Sequence, residues 1–599
     1  MSTSSSLPKW HPQPVFHLRP PQGWMNDPCA PGYDAATGTY HLFYQWNPKC
    51  CDWGDIAWGH YTSRDGLHWT HNGTDPVLAP SEPYDQCGVF TGCLYPRGPR
   101  GEADQLTVLY TSACHLPINW ALPYTRNSAG LAMATSADGG LTWNKSSQCN
   151  PILAGEPEGV VVTGWRDPFV GVWPALDRLR GLADVADSLY GIISGGISGG
   201  EAAQPALFLY AVSRDDVSRW DYLGPLVHFT KGSYRRSCWT GDYGVNWECG
   251  NFLTLGNGAD ERQFILVGSE GGVRDDVSLD ASNRHGSWLL WMSGALTLTE
   301  DGPRFVPGVF GLLDHGLFYA ASSYEHPLTK QRVVWGWLKE DVLALARRED
   351  KGWAGFQALP RELFLLRLEK VVETLKTPLK EIDSLVVEKE IAAATNSERD
   401  TKIDTETNIV YTLGIRPLPS LERLRRGDGR CWEDLATSSQ LLMNCRSPCY
   451  ELMATIRIHP SPNRLAQQRV GFHLRHNADL SQRVSVYFDV HTETIVLDRS
   501  QTNDEEGMPR DSLSGPFTLF RHQDTGWEPL HLRIFGDGDT IEVFANDRFA
   551  LSAVAYIESS FLGISSFVMT TDDTRDSAVV WERVCIWDDM DSCLVCEER

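Results

Sequence analysis

The chain has 599 residues, 42% of them hydrophobic and 22% charged, and its 53 Lys and Arg against 77 Asp and Glu leave a net charge of −24. That length exceeds one small module and the balance is globular, so two units, one of them large, are expected. So acidic a chain repels nucleic-acid phosphates and anionic lipid, and no run approaches the roughly 18 apolar residues that span a bilayer; neither nucleic acid nor membrane is an expected partner.

The opening stretch MSTSSSLPKW has no apolar core and no small-residue cleavage site, which predicts a cytoplasmic protein. The 15 cysteines are an odd number and read as mostly buried thiols in a reducing compartment. Cys445-x3-Cys449 makes a poor second pair for Cys593-x-x-Cys596, so no metal is expected.

Over the first 365 residues helix signals are scarce. Short apolar and aromatic runs (Thr39–Tyr44, Leu106–Thr111, Leu189–Ile193, Phe208–Val212, Phe264–Val267, Trp288–Trp291, Arg332–Trp337) alternate with Gly, Pro, Asp and Asn. Such spacing predicts an all-β sandwich, barrel or propeller. Ser63-Arg-Asp-Gly-Leu-His-Trp69 is echoed about 73 residues later by Ser136-Ala-Asp-Gly-Gly-Leu-Thr-Trp143. A repeated strand, Asp-Gly turn and Trp restart suggests propeller blades; two unrelated hairpins is the plainer reading. From 366 to 430 Lys and Glu dominate, and 369–430 reads as a linker after a propeller over 1–368. From 431 to 599 seven short strands return, among them Tyr450–Ile458, Arg483–Asp489 and Thr540–Phe544, which fits a two-sheet sandwich.

Three carboxylates stand in unusual company. Asp27 lies in Gly23-Trp-Met-Asn-Asp-Pro-Cys29, Asp167 in Trp165-Arg-Asp-Pro168, and Glu248 in Asn246-Trp-Glu-Cys249. Singly they read as a turn, a surface pair and a half-buried acid. Together, each beside a tryptophan, they suit a carbohydrate, whose hydroxyls bind carboxylates and whose C–H faces lie on indoles. Arg166 would keep Asp167 ionised, and Glu248, between Trp and Cys, is a candidate to hold its proton. Glycosidic cleavage needs one ionised and one protonated carboxyl. No Gly-x-Ser-x-Gly, P-loop or His-Glu-x-x-His motif competes.

In this order the three motifs resemble those of glycoside hydrolase family 32, the invertases and fructosyltransferases. Further signatures resemble it too: His41-Leu-Phe-Tyr-Gln-Trp-Asn-Pro48, Trp53-Gly54, Trp58-Gly-His60, Phe90-Thr-Gly92, Phe318-Tyr-Ala320, Val334-Trp-Gly-Trp337, Gly352-Trp-Ala-Gly355, Leu359-Pro-Arg361, Asp498-Arg-Ser500 and Glu542-Val-Phe544. The resemblance implies a five-bladed β-propeller followed by a β-sandwich, an all-β chain with the site in the propeller funnel. It implies Asp27 as nucleophile, Glu248 as general acid/base and Asp167 as transition-state stabiliser, with Asn26, Gln45, Trp53, Phe90, Thr91 and Arg166 lining a fructose pocket. No cofactor is implied. The substrates would be sucrose and fructo-oligosaccharides, and the sandwich would shield the propeller or form a homodimer interface.

Three departures adjoin these groups. Cys29-Ala30 stands where the family has Asn-Gly, Phe90-Thr-Gly92 where it has Phe-Ser-Gly, and Glu248-Cys-Gly-Asn251 where it has Glu-Cys-Pro-Asp. Cys and Ala after Asp-Pro resemble the fungal fructosyltransferase and intracellular invertase branch, so appreciable transfer to a second sugar is expected. The alternatives are a plain invertase, a binding protein with a dead site, and a sialidase, whose Asp-box the Ser136–Trp143 hairpin matches. The intact Asp27 and Glu248 oppose the second, and the three ordered motifs oppose the third.

Overall fold

The computed structural model describes residues 10–595 except 147, 183–187, 200–201, 230–235, 273–286, 390–406, 436–439, 460–467 and 570–578. Apolar stretches of strand length, punctuated by turn residues, fold into antiparallel meanders. The first sheet holds Gly23–Asp34, Thr39–Asn47, Ala57–Ser63 and Trp69–His71; the second Gly88–Tyr95, Leu106–Ala113 and Ala129–Ser136. Val162–Val172, Leu189–Gly199, Ala202–Val212 and Trp220–His228 make the third, and Asn246–Leu255, Arg262–Glu270, Ser287–Thr299 and Gly302–Leu312 the fourth. The fifth begins with Phe318–Glu325, Arg332–Leu338 and Arg361–Thr374.

In every sheet the earliest strand is innermost. Successive innermost strands pack side by side, and the fifth packs against the first, so the five sheets close into a propeller. Trp353–Ala354 completes the ring by pairing parallel with Gly23 and Trp24.

The two Asp-Gly hairpins occupy equivalent places in the first and second blades. Asp65 Oδ1 accepts from the amides of Leu67 and His68, at 3.0 and 2.8 Å. Asp138 Oδ1 accepts from Leu141 and Thr142, at 3.1 and 3.0 Å. Gly66 and Gly139 carry positive φ (70° and 73°) that the turn demands.

Beyond the propeller, two six-stranded sheets pack face to face as a sandwich. Cys431 and Cys585, cross-strand partners in one sheet, are joined by a disulfide, so the reading of the cysteines as thiols fails for this pair. The stretch 369–430 is not a free linker. The Arg361–Thr374 strand runs into it and pairs with Asn408–Pro417, Val386–Lys389 pairs with that strand in turn, and Phe520–His522 of the sandwich pairs with Val371–Thr374. Among the described residues its Lys and Glu side chains are exposed or half-buried, while Val371, Val410 and Phe520 form a small core beneath. Within this stretch, residues 390–406 lie outside the described residues.

A buried charge network joins the last blade to the sandwich. Arg361 donates to Asp314 at 2.9 Å and to Glu542 at 2.8 Å, and His17 sits between Asp537 (2.8 Å) and Glu542 (3.0 Å). All five side chains are fully buried. The Glu542 motif therefore serves the seam.

Candidate active site

The five innermost strands share one irregularity at one level. In each, two residues face a single partner on the next strand, giving a bulge: Asn26-Asp27, Phe90-Thr91, Asp167-Pro168, Cys249-Gly250 and Ala320-Ala321. A bulge breaks the period-2 alternation and re-aims side chains. Asp167, Cys249 and Ala320 adopt positive φ there (63°, 49° and 52°), an uncommon conformation for residues with a Cβ. Five bulges at one height bring groups from separate motifs together around the propeller axis.

Asp27 accepts hydrogen bonds from Thr91 Oγ1 (2.5 Å), Asn26 Nδ2 (3.1 Å) and Gln45 Nε2 (3.4 Å). Gln45 in turn donates to Thr91 Oγ1 at 2.6 Å and accepts from Asn26 at 2.9 Å. The Cys249 thiol lies 3.5 Å from Asp27 Oδ2 and 3.6 Å from Asp167 Oδ2. Burial and the flanking carboxylates push that thiol well up, so it remains a donor. Asp167 also accepts from the Cys249 amide at 3.1 Å, and its own amide donates to Thr111 Oγ1 at 2.7 Å.

Glu248 receives Arg166 Nη2 and Nε at 2.6 and 3.1 Å on one oxygen and the Tyr319 hydroxyl at 2.6 Å on the other. Arg166 reaches Glu270 at 2.7 Å, which also accepts from Asn246 at 2.6 Å. Trp53 is 48% exposed and meets Phe90 edge-on at 5.8 Å, forming a rim. Phe90 packs with Trp24, Cys249, Tyr319 and Trp337. The structure thus brings Asn26, Gln45, Phe90, Thr91, Arg166 and the three carboxylates together, with Trp53 at the edge.

Glu270 and Tyr319 were not among the expected site residues. Glu270 faces Asn246, two positions before Glu248, only because of the pairing between Asn246–Leu255 and Arg262–Glu270. Tyr319 lies in a recognised signature, yet its bond to Glu248 depends on the fifth blade closing against the fourth.

Three carboxyls, Asp167, Glu248 and Glu270, surround the Arg166 guanidinium, and Asp27 stands near enough to feel the Glu248 charge. Burial and the Glu248 charge lift Asp27 to about 6, against the bonds from Thr91 and Asn26. Burial lifts Asp167 to about 8; Arg166 opposes this, and the Glu248 and Asp27 charges add to it. Burial and the Glu248 charge lift Glu270 to about 7 against Arg166. Burial thus outweighs the guanidinium at Asp167, so Arg166 does not keep that carboxyl ionised as the sequence suggested.

The departures near the carboxyls have local accounts. The Gly250 amide donates to Ser194 Oγ at 2.8 Å, a bond proline lacks the hydrogen to make. Asn251 donates to the carbonyls of Cys249 and Ala321, each at 2.9 Å, and accepts from Ser323 at 2.8 and 2.9 Å. An aspartate would repel both carbonyls. Thr91 supplies the hydroxyl held against Asp27.

Comparison with known proteins follows this geometry. The family model described as glycosyl hydrolases family 32 N-terminal domain matches residues 17–375, and that for the family 32 C terminal matches residues 420–582. Beta-fructofuranosidase 1 of Zea mays is 30% identical over 403 residues, covering 64% of this chain and 52% of that protein. Fructan 6-exohydrolase of Beta vulgaris is 27% identical over 586 residues, covering 90% and 81%. The chain spans about half the length of the first curated relatives it matches, 52% and 54%. Among solved structures, Aspergillus kawachii beta-fructofuranosidase complexed with glycerol superposes with a TM-score of 0.83 at 26% identity, covering 100% of this chain and 97% of that one. The A. japonicus fructosyltransferase gives 0.83 at 25%, covering 100% and 98%. No helix among the described residues is long and apolar enough to cross a membrane.

Proposed function

The chain belongs to glycosyl hydrolase family 32, and we propose that it is a retaining β-fructofuranosidase that cleaves sucrose and hands the fructosyl unit to water or to a second sugar. The observation that carries this reading is the convergence of Asp27, Asp167 and Glu248 at one level of the funnel, bridged by Cys249 and Arg166.

Asp27, fixed by three donors, attacks the anomeric carbon of the fructosyl unit. Glu248 gives its proton to the departing glucose oxygen, leaving a fructosyl ester on Asp27. Glu248 then takes a proton from the incoming hydroxyl, which opens the ester. Asp167, rigid on its bulge, holds sugar hydroxyls as positive charge develops at the ring. Arg166 keeps Glu248 aimed through two bonds to one carboxylate oxygen. Trp53 offers an exposed face at the rim. The departures beside the carboxyls, where an acceptor must approach, favour transfer over plain hydrolysis.

The test measures free glucose and free fructose from concentrated sucrose. Glucose well above fructose supports transfer, and equal amounts mean an invertase. No glucose from the wild type overturns the reading. Asp27→Asn is expected to abolish turnover without altering the thermal midpoint.

A further inference from the structure

The second blade carries a feature that the reaction does not use. Its innermost strand starts at Gly88, paired with Ala113 of the neighbouring strand. Just outside this pair stand Cys87 and Cys114, where the Cys87 amide donates to the Ala113 carbonyl at 2.8 Å. The Cys87 thiol lies 3.3 Å from the Cys114 carbonyl oxygen, and both residues are partly exposed thiols. Burial and the nearness of Cys87 push the Cys114 thiol up.

Cys114 also opens a loop that returns at Ser128. The loop's base is tied by the Cys114 amide to Ser128 O at 3.0 Å and by the Cys114 thiol to Asn127 O at 3.1 Å. From this base the loop reaches over the site. Ile118 packs on the cluster of Phe90, Tyr319 and Cys249. The Trp120 ring covers Gly271, next to Glu270, so closely that a Cβ on Gly271 would lie 2.9 Å from it. Tyr124 is near enough to Arg166 for that charge to act on its hydroxyl.

We propose that Cys87 and Cys114 are a reversible dithiol–disulfide latch that sets the position of the 114–127 loop over the mouth of the site. Oxidation converts two thiols to one S–S bond, with loss of two protons and two electrons. A small disulfide such as oxidised glutathione accepts them by exchange and leaves as two thiols. Swinging Cys114 Sγ toward Cys87 breaks its contact with Asn127 O and so loosens one tie at the loop base. The loop touches the rim and not the nucleophile, so oxidation should raise KM several-fold and change kcat less than twofold.

The experiment treats the full chain with oxidised glutathione and then with dithiothreitol. Peptide mass spectrometry reads the linkage, and hydrogen exchange of the peptide over 114–127 reads the loop; neither depends on the proposed reaction. Sucrose kinetics read KM. The expected result is a linked Cys87–Cys114 peptide, faster exchange in 114–127 and a raised KM, all reversed by dithiothreitol and absent in both Cys87→Ser and Cys114→Ser. Glutathione adducts without the intramolecular link overturn the proposal, as does a link with unchanged exchange and KM. A KM response that persists in both variants also overturns it. Failure of the reduced enzyme to cleave sucrose counts against the proposed function alone, because linkage and exchange still decide the latch.

Discussion

Replacing Thr91 with valine removes a hydroxyl but almost no volume. In the folded protein that hydroxyl donates to Asp27 Oδ2 at 2.5 Å. A hydrogen bond to a charged group contributes about 1.5–3 kcal/mol, and a pKa unit corresponds to about 1.4 kcal/mol, so its loss should raise the Asp27 carboxyl by about one to two units. Gln45 Nε2 softens the effect. It gives its shorter bond, 2.6 Å, to the Thr91 oxygen and lies 3.4 Å from Asp27 Oδ2. Freed from Thr91, it takes over part of the lost donation, which brings the expected shift to about one unit. Asp27 must be ionised to attack, so the acid limb of kcat/KM should move from about 6 to about 7. Below the limb the rate falls about tenfold at any fixed pH, while the alkaline plateau stays within about threefold. The assay is the pH profile of initial sucrose cleavage for wild type, Thr91→Val and Thr91→Ser, the last retaining the hydroxyl. An acid limb for Thr91→Val that coincides with that of Thr91→Ser refutes the reasoning.

Glu248→Gln should slow sucrose cleavage by orders of magnitude yet spare a fructoside whose leaving group needs no proton; equal losses on both would remove Glu248 from the acid role. Arg361→Leu leaves Asp314 buried without its cation and Glu542 with His17 alone, which should cost about 3–5 kcal/mol, read as a lowered urea midpoint. His17 reports on the same seam through pH. Burial alone would lower its pKa, but Asp537 and Glu542 raise it from 6.5 to about 9. Its contribution, about 3 kcal/mol, is therefore complete below 6.5 and lost as pH rises through about 9. Urea midpoints between pH 6 and 10 should fall over that window for wild type and flatten for His17→Asn.

Much of the site is legible in the sequence because each carboxylate carries its identity in its immediate neighbours. Trp24-Met-Asn-Asp-Pro28 and Trp165-Arg-Asp-Pro168 are contiguous, and each bulge lies inside its motif. Glu270 is different. Its place beside Arg166 is a matter of strand register, which a run of apolar residues does not specify. Tyr319 needs ring closure as well. The same physics hides the Cys431–Cys585 bridge, whose halves are 154 residues apart and meet only through pairing. The Lys- and Glu-rich stretch after 366 misleads for another reason. Composition reports that one face is wet, and a sheet with one wet face has the same composition as a tether.

The ring closes on its own beginning. Asp27 lies on the innermost strand of the first blade, yet the neighbour on that strand's free side, Trp353–Ala354, is made more than 300 residues later. Until then Gly23 and Trp24 present an open edge, and Asp27 has no fifth blade at its back. Blades two to four can form as local hairpins while synthesis continues. Closing the propeller must then bring its two ends together, and the carboxylate cluster comes into being at that moment. A ribosome stalled before residue 353 would hold a chain with Asp27, Asp167, Glu248 and Glu270 already translated and no assembled site.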